Sequence, residues 1–565
     1  MLQDLTTLRG ENLTGTPWTV YPRPQMKRDS YINLNGEWAF STNYGEPEAA
    51  ETIRVPFCPE SRLSGIGHHF PEGAALTYKK TLKLSDGFNR GRVLLHIGAA
   101  DQIATVFVNK KKLCEHRGGY EAFTVDITEV LQEENEIVIV CVDSLYNQEF
   151  PYGKQVMKRG GMWYTPVSGI WQTVWLESVP ETYIRKLDIE NRDYSVTITT
   201  FPVLEGRVVV PELGEFPLEN GSVTITPEDP HLWSPEDPYL YEFSVEAGED
   251  RVESYFAVRS LEVKKVGKYP RLCLNGKPYF FHGLLDQGYW PDGLFTPAAP
   301  ECYADDILAM KALGFNTLRK HIKVEAEEFY YQCDRLGMIV FQDMINNSDY
   351  NFLRDTALPT IGIQTLDDRK LHKDPASRAE FLREAKAVVE QLGNHPCICY
   401  WTIFNEAWGQ FDSDNVYEWF RQLDDTRFID STSGWFRQKK SDVDSRHVYF
   451  RKVKLRGDGE KPLVLSEFGG KTYKAEGHVF NPDKSYGYGG CKTLEELNEA
   501  VAGLYLNEVL PCIRQGLCAA VYTQVSDVED EINGLVTYDR KVVKLLPEKM
   551  LPVAEALHKA MEEAE

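Results

Sequence analysis

At 565 residues the chain is too long for one hydrophobic core, so two to four domains are expected. Its formal charge of −23, with no basic stripe interleaved with aromatics, argues against a nucleic-acid partner and against binding an anionic membrane surface. Eleven scattered cysteines, of which only Cys397 and Cys399 are close together, fit neither a disulfide framework nor zinc spacing and imply reduced thiols. The start, Met1-Leu2-Gln3-Asp4-Leu5, lacks a basic region followed by an apolar stretch, and no run of about 18 apolar residues occurs. A cytoplasmic protein is therefore expected, and a homo-oligomer is compatible with the composition.

From the start to residue 177, short alternating runs such as Ala104-Thr105-Val106-Phe107-Val108 and Glu136-Ile137-Val138-Ile139-Val140 are separated by turn residues. Frequent strands without helical periods predict an antiparallel jelly-roll β-sandwich. Residues 178–263 repeat this character over a length that suits an immunoglobulin-like β-sandwich, with Trp233 as a packed turn residue. After Asn275-Gly276-Lys277-Pro278 the pattern becomes strand–helix alternation. Helices are predicted over 304–313, over 326–336 and from the capping-box spacing Ser377-Arg378-Ala379-Glu380, then over 416–423 and 494–509. Eight strand candidates, starting at Phe280-Phe281-His282-Gly283, place a C-terminal (β/α)8 TIM barrel in residues 264–565.

Two carboxylates close apolar runs of that barrel. Glu406 ends Cys397-Ile398-Cys399-Tyr400-Trp401-Thr402-Ile403-Phe404-Asn405, and Glu467 ends Pro462-Leu463-Val464-Leu465-Ser466. A carboxylate at the carboxyl end of a barrel strand lies on the active face, and two there can divide acid and nucleophile roles at a glycosidic bond. Arg319, His321 and Asp343 also end strands, and Asp286 lies in the loop after the first strand with Trp290. Asp286, Asp343 and His321 are candidates for sugar hydroxyls, Trp290 and Trp408 for stacking on a sugar ring, and Trp401 for packing. No spacing of His, Asp and Glu demands a metal, and no cofactor is expected.

The order sandwich, sandwich, barrel, with Asn405-Glu406 and Ser466-Glu467-Phe468-Gly469, resembles glycoside hydrolase family 2, which contains β-galactosidases, β-glucuronidases and β-mannosidases. Leu34-Asn35-Gly36-Glu37-Trp38, His116-Arg117-Gly118-Gly119-Tyr120 and Ser168-Gly169-Ile170-Trp171-Gln172 resemble that family's sugar-binding-domain signatures. The resemblance implies a retaining exo-glycosidase working by double displacement, with Glu406 as acid/base, Glu467 as nucleophile and Asn405 on the sugar's 2-hydroxyl. Retention requires carboxyl groups about 5 to 5.5 Å apart. Tyr449 and Arg319 are the expected donors to Glu467.

The sugar is read from charge. Family members that act on glucuronate carry an Asn-any-Lys element late in the barrel, whereas this chain has the acidic run Ser526-Asp527-Val528-Glu529-Asp530-Glu531. The expectation is a neutral β-galactoside-like substrate, furanosides and arabinosides included, with the acids repelling a uronate. A β-glucuronidase or β-galacturonidase is the alternative, with Lys320, Lys471 or Lys474 as the cation. A non-catalytic carbohydrate-binding protein is the reading from another class.

Overall fold

Every second residue of Asn135–Val142 and of Ile103–Val108 is buried, which is what a strand with one face on a core requires. These two strands sit side by side in a six-stranded antiparallel sheet, and a four-stranded sheet closes over it. Trp38, Tyr78, Leu95, Ile97, Ile139 and Leu176 fill the space between. The computed structural model describes residues 2–42, 51–363 and 366–564. A second sandwich follows, with sheets of three and four antiparallel strands between Lys186 and Phe256 around Val196, Val208, Phe243 and Phe256. Trp233 is fully buried and donates its indole N–H to the Asp334 carbonyl at 2.7 Å, so it is a packed turn residue.

The barrel strands are Phe281–Asp286, Thr317–Lys320, Ile339–Asp343, Ile398–Asn405, Phe428–Ser433, Asp444–Val448, Leu463–Gly469 and Leu517–Thr523. They form one parallel eight-stranded sheet whose fifth and sixth members are its two ends, so the barrel is nearly closed. All eight residues of the fourth strand are buried, as expected where a parallel sheet is covered on one face by helices and filled on the other. The helix assigned to a capping box at Ser377 begins earlier, at Pro375. Asp374 is its cap, accepting from the Ser377 amide at 2.8 Å, because a proline suits the first helical position and an aspartate the one before it. The helix from Leu494 runs to Leu504 and continues through a wider turn to Ile513. A last helix, Pro547–Glu562, was not anticipated from the sequence. All eleven cysteines are free thiols, and no described helix is long and apolar enough to cross a membrane.

A segment of the first sandwich crosses the carboxyl-terminal face of the barrel. Tyr152 donates its amide to Asn346 O (3.0 Å) and its hydroxyl to Ser348 O (2.9 Å), and the Thr165 amide donates to Glu529 (3.0 Å). At the opposite margin a buried ion cluster joins the amino-terminal segment to both sandwiches. Glu177 takes Arg23 at 2.7 Å and Arg28 at 3.2 Å, and Arg28 also forks onto Asp250 at 2.8 Å. Removing one member of such a cluster leaves buried charge uncompensated. We expect Glu177→Gln to lower unfolding stability by about 3–5 kcal/mol. Cutting the exposed Lys83–Glu133 pair, at 2.8 Å, is expected to change it by less than about 1 kcal/mol, both read from denaturant titrations.

Candidate active site

The fourth strand ends at Asn405, and the chain then turns through two left-handed residues, Glu406 (φ 49°) and Ala407 (φ 66°). Left-handed backbone is strained for residues with a side chain, and its cost is borne where the surroundings hold it. Here the Glu406 amide donates to Ser433 O at 2.9 Å and the Trp408 amide to Asn405 O at 2.8 Å. The turn aims the Glu406 carboxyl at the His447 ring, 2.7 Å from Oε1 to Nδ1. Gly434 makes room for that ring, since a Cβ there would lie 2.5 Å from it.

Glu467 sits where the seventh strand slips register against the eighth, between Leu465 and Phe468, and such a slip re-aims a side chain. Its Oε1 accepts from Arg319 Nη1 at 3.1 Å and its Oε2 from the Tyr449 hydroxyl at 2.8 Å. Single ligating atoms of Glu406, His447 and Glu467 all lie within 4.8 Å of one another. A divalent cation could bridge a group so spaced, but it would have to compete with the Arg319 guanidinium already on Glu467.

Arg319 organises the floor of the site. It is 1 % exposed and also donates Nε to Asp343 at 2.9 Å and Nη2 to Asn405 Oδ1 at 2.8 Å. Burial opposes its charge, but Asp343 and then Glu467 outweigh burial and raise its pKa. Because Asn405 Oδ1 is held by the guanidinium, its amide nitrogen is a buried donor without a protein partner. That free donor suits a ligand hydroxyl.

The remaining candidates divide. Asp343 shares its two oxygens between Arg319 and His321 (2.8 Å), so its contacts orient those side chains first. Asp286 is likewise committed, to Lys320 at 2.6 Å and the Gly288 amide at 3.0 Å. Trp290 is 3 % exposed beneath Arg540, whose guanidinium lies 3.9 Å from the ring centroid, and therefore packs the barrel's edge instead of stacking on a ligand. Trp408 is as deeply buried, at 2 % exposed, but lies beside the site, stacked on Trp163 at 5.1 Å with its ring 6.5 Å from His321. Trp401 donates to Asp424 at 2.8 Å within the packing layer.

Sequence reasoning missed His447, Lys154 and the aromatic wall of Trp163, Tyr350 and Tyr488. His447 was legible in principle, because it lies two residues before Tyr449, and alternate strand residues face the same way. Tyr488 stacks on Tyr449 at 4.1 Å, and Trp163 comes from the crossing segment, which no strand pattern flagged.

The acidic run also needs correction. Asp527 pairs with Lys544 (2.6 Å), Glu529 and Asp530 with Arg159 (3.5 and 3.1 Å), and Glu531 accepts from Tyr164 and from Asn533 (3.0 Å). All four acids are buried. These contacts fasten the crossing segment and the eighth-strand loop, so the run is not a free acidic loop turned into the pocket, and with two cations to four acids it does not by itself choose between a neutral sugar and a uronide. Of the cations named for a uronate, Lys320 is consumed by Asp286 and Glu325, and Lys474 binds the Pro482 carbonyl. Lys471 lies half-exposed near Gly489.

Three family models match in succession: a glycosyl hydrolase 2 galactose-binding domain-like model over residues 51–188, a glycosyl hydrolases family 2 model over 181–259, and the family 2 TIM barrel domain over 265–543. A β-galactosidase of Thermoanaerobacter pseudethanolicus is 24% identical over 82% of this chain and 62% of its own. A β-glucuronidase of Bacteroides fragilis is 22% identical over 69% and 58%. The chain thus spans about three-fifths of the length of these curated relatives. Among solved structures, a β-D-glucuronidase of Dictyoglomus thermophilum superposes with TM-score 0.72 at 19% identity, over 96% of this chain and 98% of that one. A β-galacturonidase of Eisenbergiella tayi bound to galacturonate does so with TM-score 0.67 at 18% identity, over 96% and 99%. These likenesses show the fold.

Burial pushes the His321 imidazole down to about 4 against the pull of Asp343, and Lys154 pushes it the same way. Burial, with a smaller push from His558, takes His282 to about 3 against the Gly314 carbonyl. With folded values below the unfolded value of about 6.5, their contribution to stability is present above about pH 6.5 and is lost as the pH falls toward 4. We expect nitrogen and carbon NMR of labelled histidines to show both rings neutral at pH 5.5. A His321 resonance titrating near 6.5 would contradict its burial against Asp343.

Proposed function

The chain belongs to glycoside hydrolase family 2, and from that premise we propose that it hydrolyses terminal β-linked sugars with retention of configuration, through a covalent glycosyl-enzyme. The observation that carries the reading is the pair Glu406 and Glu467, each at the end of a barrel strand, with one oxygen of each within 4.8 Å. Direct attack on an anomeric carbon needs carboxyl groups about 5 to 5.5 Å apart, whereas inversion leaves room for water at about 6.5 Å or more. The crossing segment, with Trp163 against Trp408, walls one side of the barrel mouth, and a walled pocket suits a chain end better than an internal sugar.

In the first step Glu467 bonds to the anomeric carbon as the bond to the leaving oxygen breaks, and Glu406 gives that oxygen its proton. In the second, Glu406 takes a proton from water, the water oxygen bonds to the anomeric carbon, and Glu467 departs. Arg319 and Tyr449 hold Glu467 for attack, and the free Asn405 amide nitrogen is placed for a 2-hydroxyl. His447 positions Glu406. The Ser433 hydroxyl donates to Ser466 (3.0 Å), so His447 Nε2, 3.1 Å from Ser433, serves as the donor there. In the neutral ring Nδ1 then accepts, and the proton on the Glu406–His447 contact belongs to the acid catalyst. The sugar comes from one of the two classes that the relatives' names span, a neutral galactoside or a uronide, and the acidic run no longer favours the first.

Two variants and a label test this. Glu467→Gln should abolish turnover, and a 2-fluoroglycoside should label Glu467 alone, as peptide mass mapping would show. Glu406→Gln should slow substrates with poor leaving groups by at least about 100-fold more than activated aryl glycosides, with azide restoring turnover of the latter. Sugar binding without turnover across a broad aryl-glycoside panel would instead make the protein a carbohydrate binder.

A further inference from the structure

Four lysines are buried among the described residues: Lys154, Lys320, Lys323 and Lys544. Three of them have carboxylate partners, Lys320 on Asp286 and Glu325, Lys323 on Glu325, and Lys544 on Asp527. Lys154 is 7 % exposed, and its ammonium has neither an ion pair nor a hydrogen bond among the described residues. It lies against the rings of Trp408 and Tyr164, 5.5 and 5.6 Å from their centroids. Ring faces attract a cation, but they offset only part of what it loses on leaving water. The nearby acids are committed elsewhere, Asp343 to Arg319 and His321, Glu531 to Tyr164 and Asn533, and Glu406 to His447.

This unpaired ammonium lies on the side of the barrel mouth where Trp408 and His321 stand. Lys154 belongs to the crossing segment, fixed on either side by Tyr152 on Asn346 and Ser348 and by Tyr164 on Glu531. Gly153 presses that segment onto the barrel, for a Cβ there would stand 2.9 Å from the Ile322 carbonyl oxygen. Trp408, which Lys154 faces, is two residues beyond Glu406. His321, which follows the second strand and whose Nδ1 is turned to Asp343, feels the fields of both Lys154 and Glu467.

We infer that Lys154 receives the carboxylate of a uronide, so that the substrate class is a β-linked hexuronic acid. The inference rests on the glycosidase reading above. A hydroxyl could accept a hydrogen bond from the ammonium but would leave its charge unbalanced, whereas a carboxylate supplies the missing counter-charge as well.

The test compares kcat/KM for 4-nitrophenyl β-glucuronide and β-galacturonide with that for the matching β-glucoside and β-galactoside. The native protein should favour at least one uronide over its neutral counterpart by about tenfold or more. Lys154→Met should cut the uronide-to-neutral ratio by at least about thirtyfold, chiefly through KM, and Lys154→Arg should retain most of the preference. Circular dichroism and an unchanged melting temperature would show that the variants fold. A native preference for the neutral sugars, an equal loss on both classes in Lys154→Met, or a ratio that responds to Lys471→Met instead would overturn the assignment. If no glycoside is turned over, the glycosidase reading falls by itself, and calorimetry with free glucuronate and galacturonate decides the Lys154 assignment. Binding weakened at least about tenfold by Lys154→Met upholds it, and no binding to the native protein overturns it.

Discussion

One buried guanidinium sets the geometry on which the site depends. Arg319 rises from the second barrel strand and reaches the third strand at Asp343, the fourth at Asn405 and the seventh at Glu467. Its planar fork allows three directed contacts at once, which a lysine could not reproduce. By bonding Asn405 through its oxygen, Arg319 leaves the amide nitrogen toward the ligand. By sharing Asp343 with His321, it also orients that ring. A charge at this depth is tolerable because the guanidinium's own N–H groups find acceptors on Asp343, Asn405 and Glu467.

The second constraint is the seam between the first sandwich and the barrel. A surface loop would ordinarily be mobile and solvated, but the crossing segment is held by backbone bonds to Asn346 and Ser348 and by the acids of the eighth-strand loop. Those acids act as fasteners. Their engagement brings Trp163 and Lys154 over the barrel mouth, so the amino-terminal domain supplies part of the wall of a site whose proposed reacting groups both come from the barrel.

Around Glu406 the backbone itself is part of the device. Two consecutive left-handed residues turn the chain sharply after the fourth strand, and Gly434 clears the space that lets His447 approach. Barrel strands tolerate this because their carboxyl ends leave the ladder there, whereas the same turn within a strand would forfeit its hydrogen bonds.

Much of this was written in local pattern. Period-two burial in residues 103–108 and 135–142, strand–helix alternation after residue 278 and carboxylates closing apolar runs at Glu406 and Glu467 follow from short-range chemistry, so the sequence by itself determined the two sandwiches, the barrel and the pair of strand-end carboxylates. Arg319 was legible for a related reason, since a cation inside an apolar strand must find an acid. Partnership across the chain was decided only by the tertiary structure. Whether Asp286 or Asp343 is free, whether the run from Asp527 to Glu531 projects its charge, and whether Trp290 or Trp408 faces the pocket all depend on residues hundreds of positions away. The same holds for Lys154, an unremarkable loop lysine in the sequence, which became a buried cation lacking a counter-charge once residues 150–165 closed over the barrel. Burial and pairing set the meaning of a charge, and both are properties of the assembled fold.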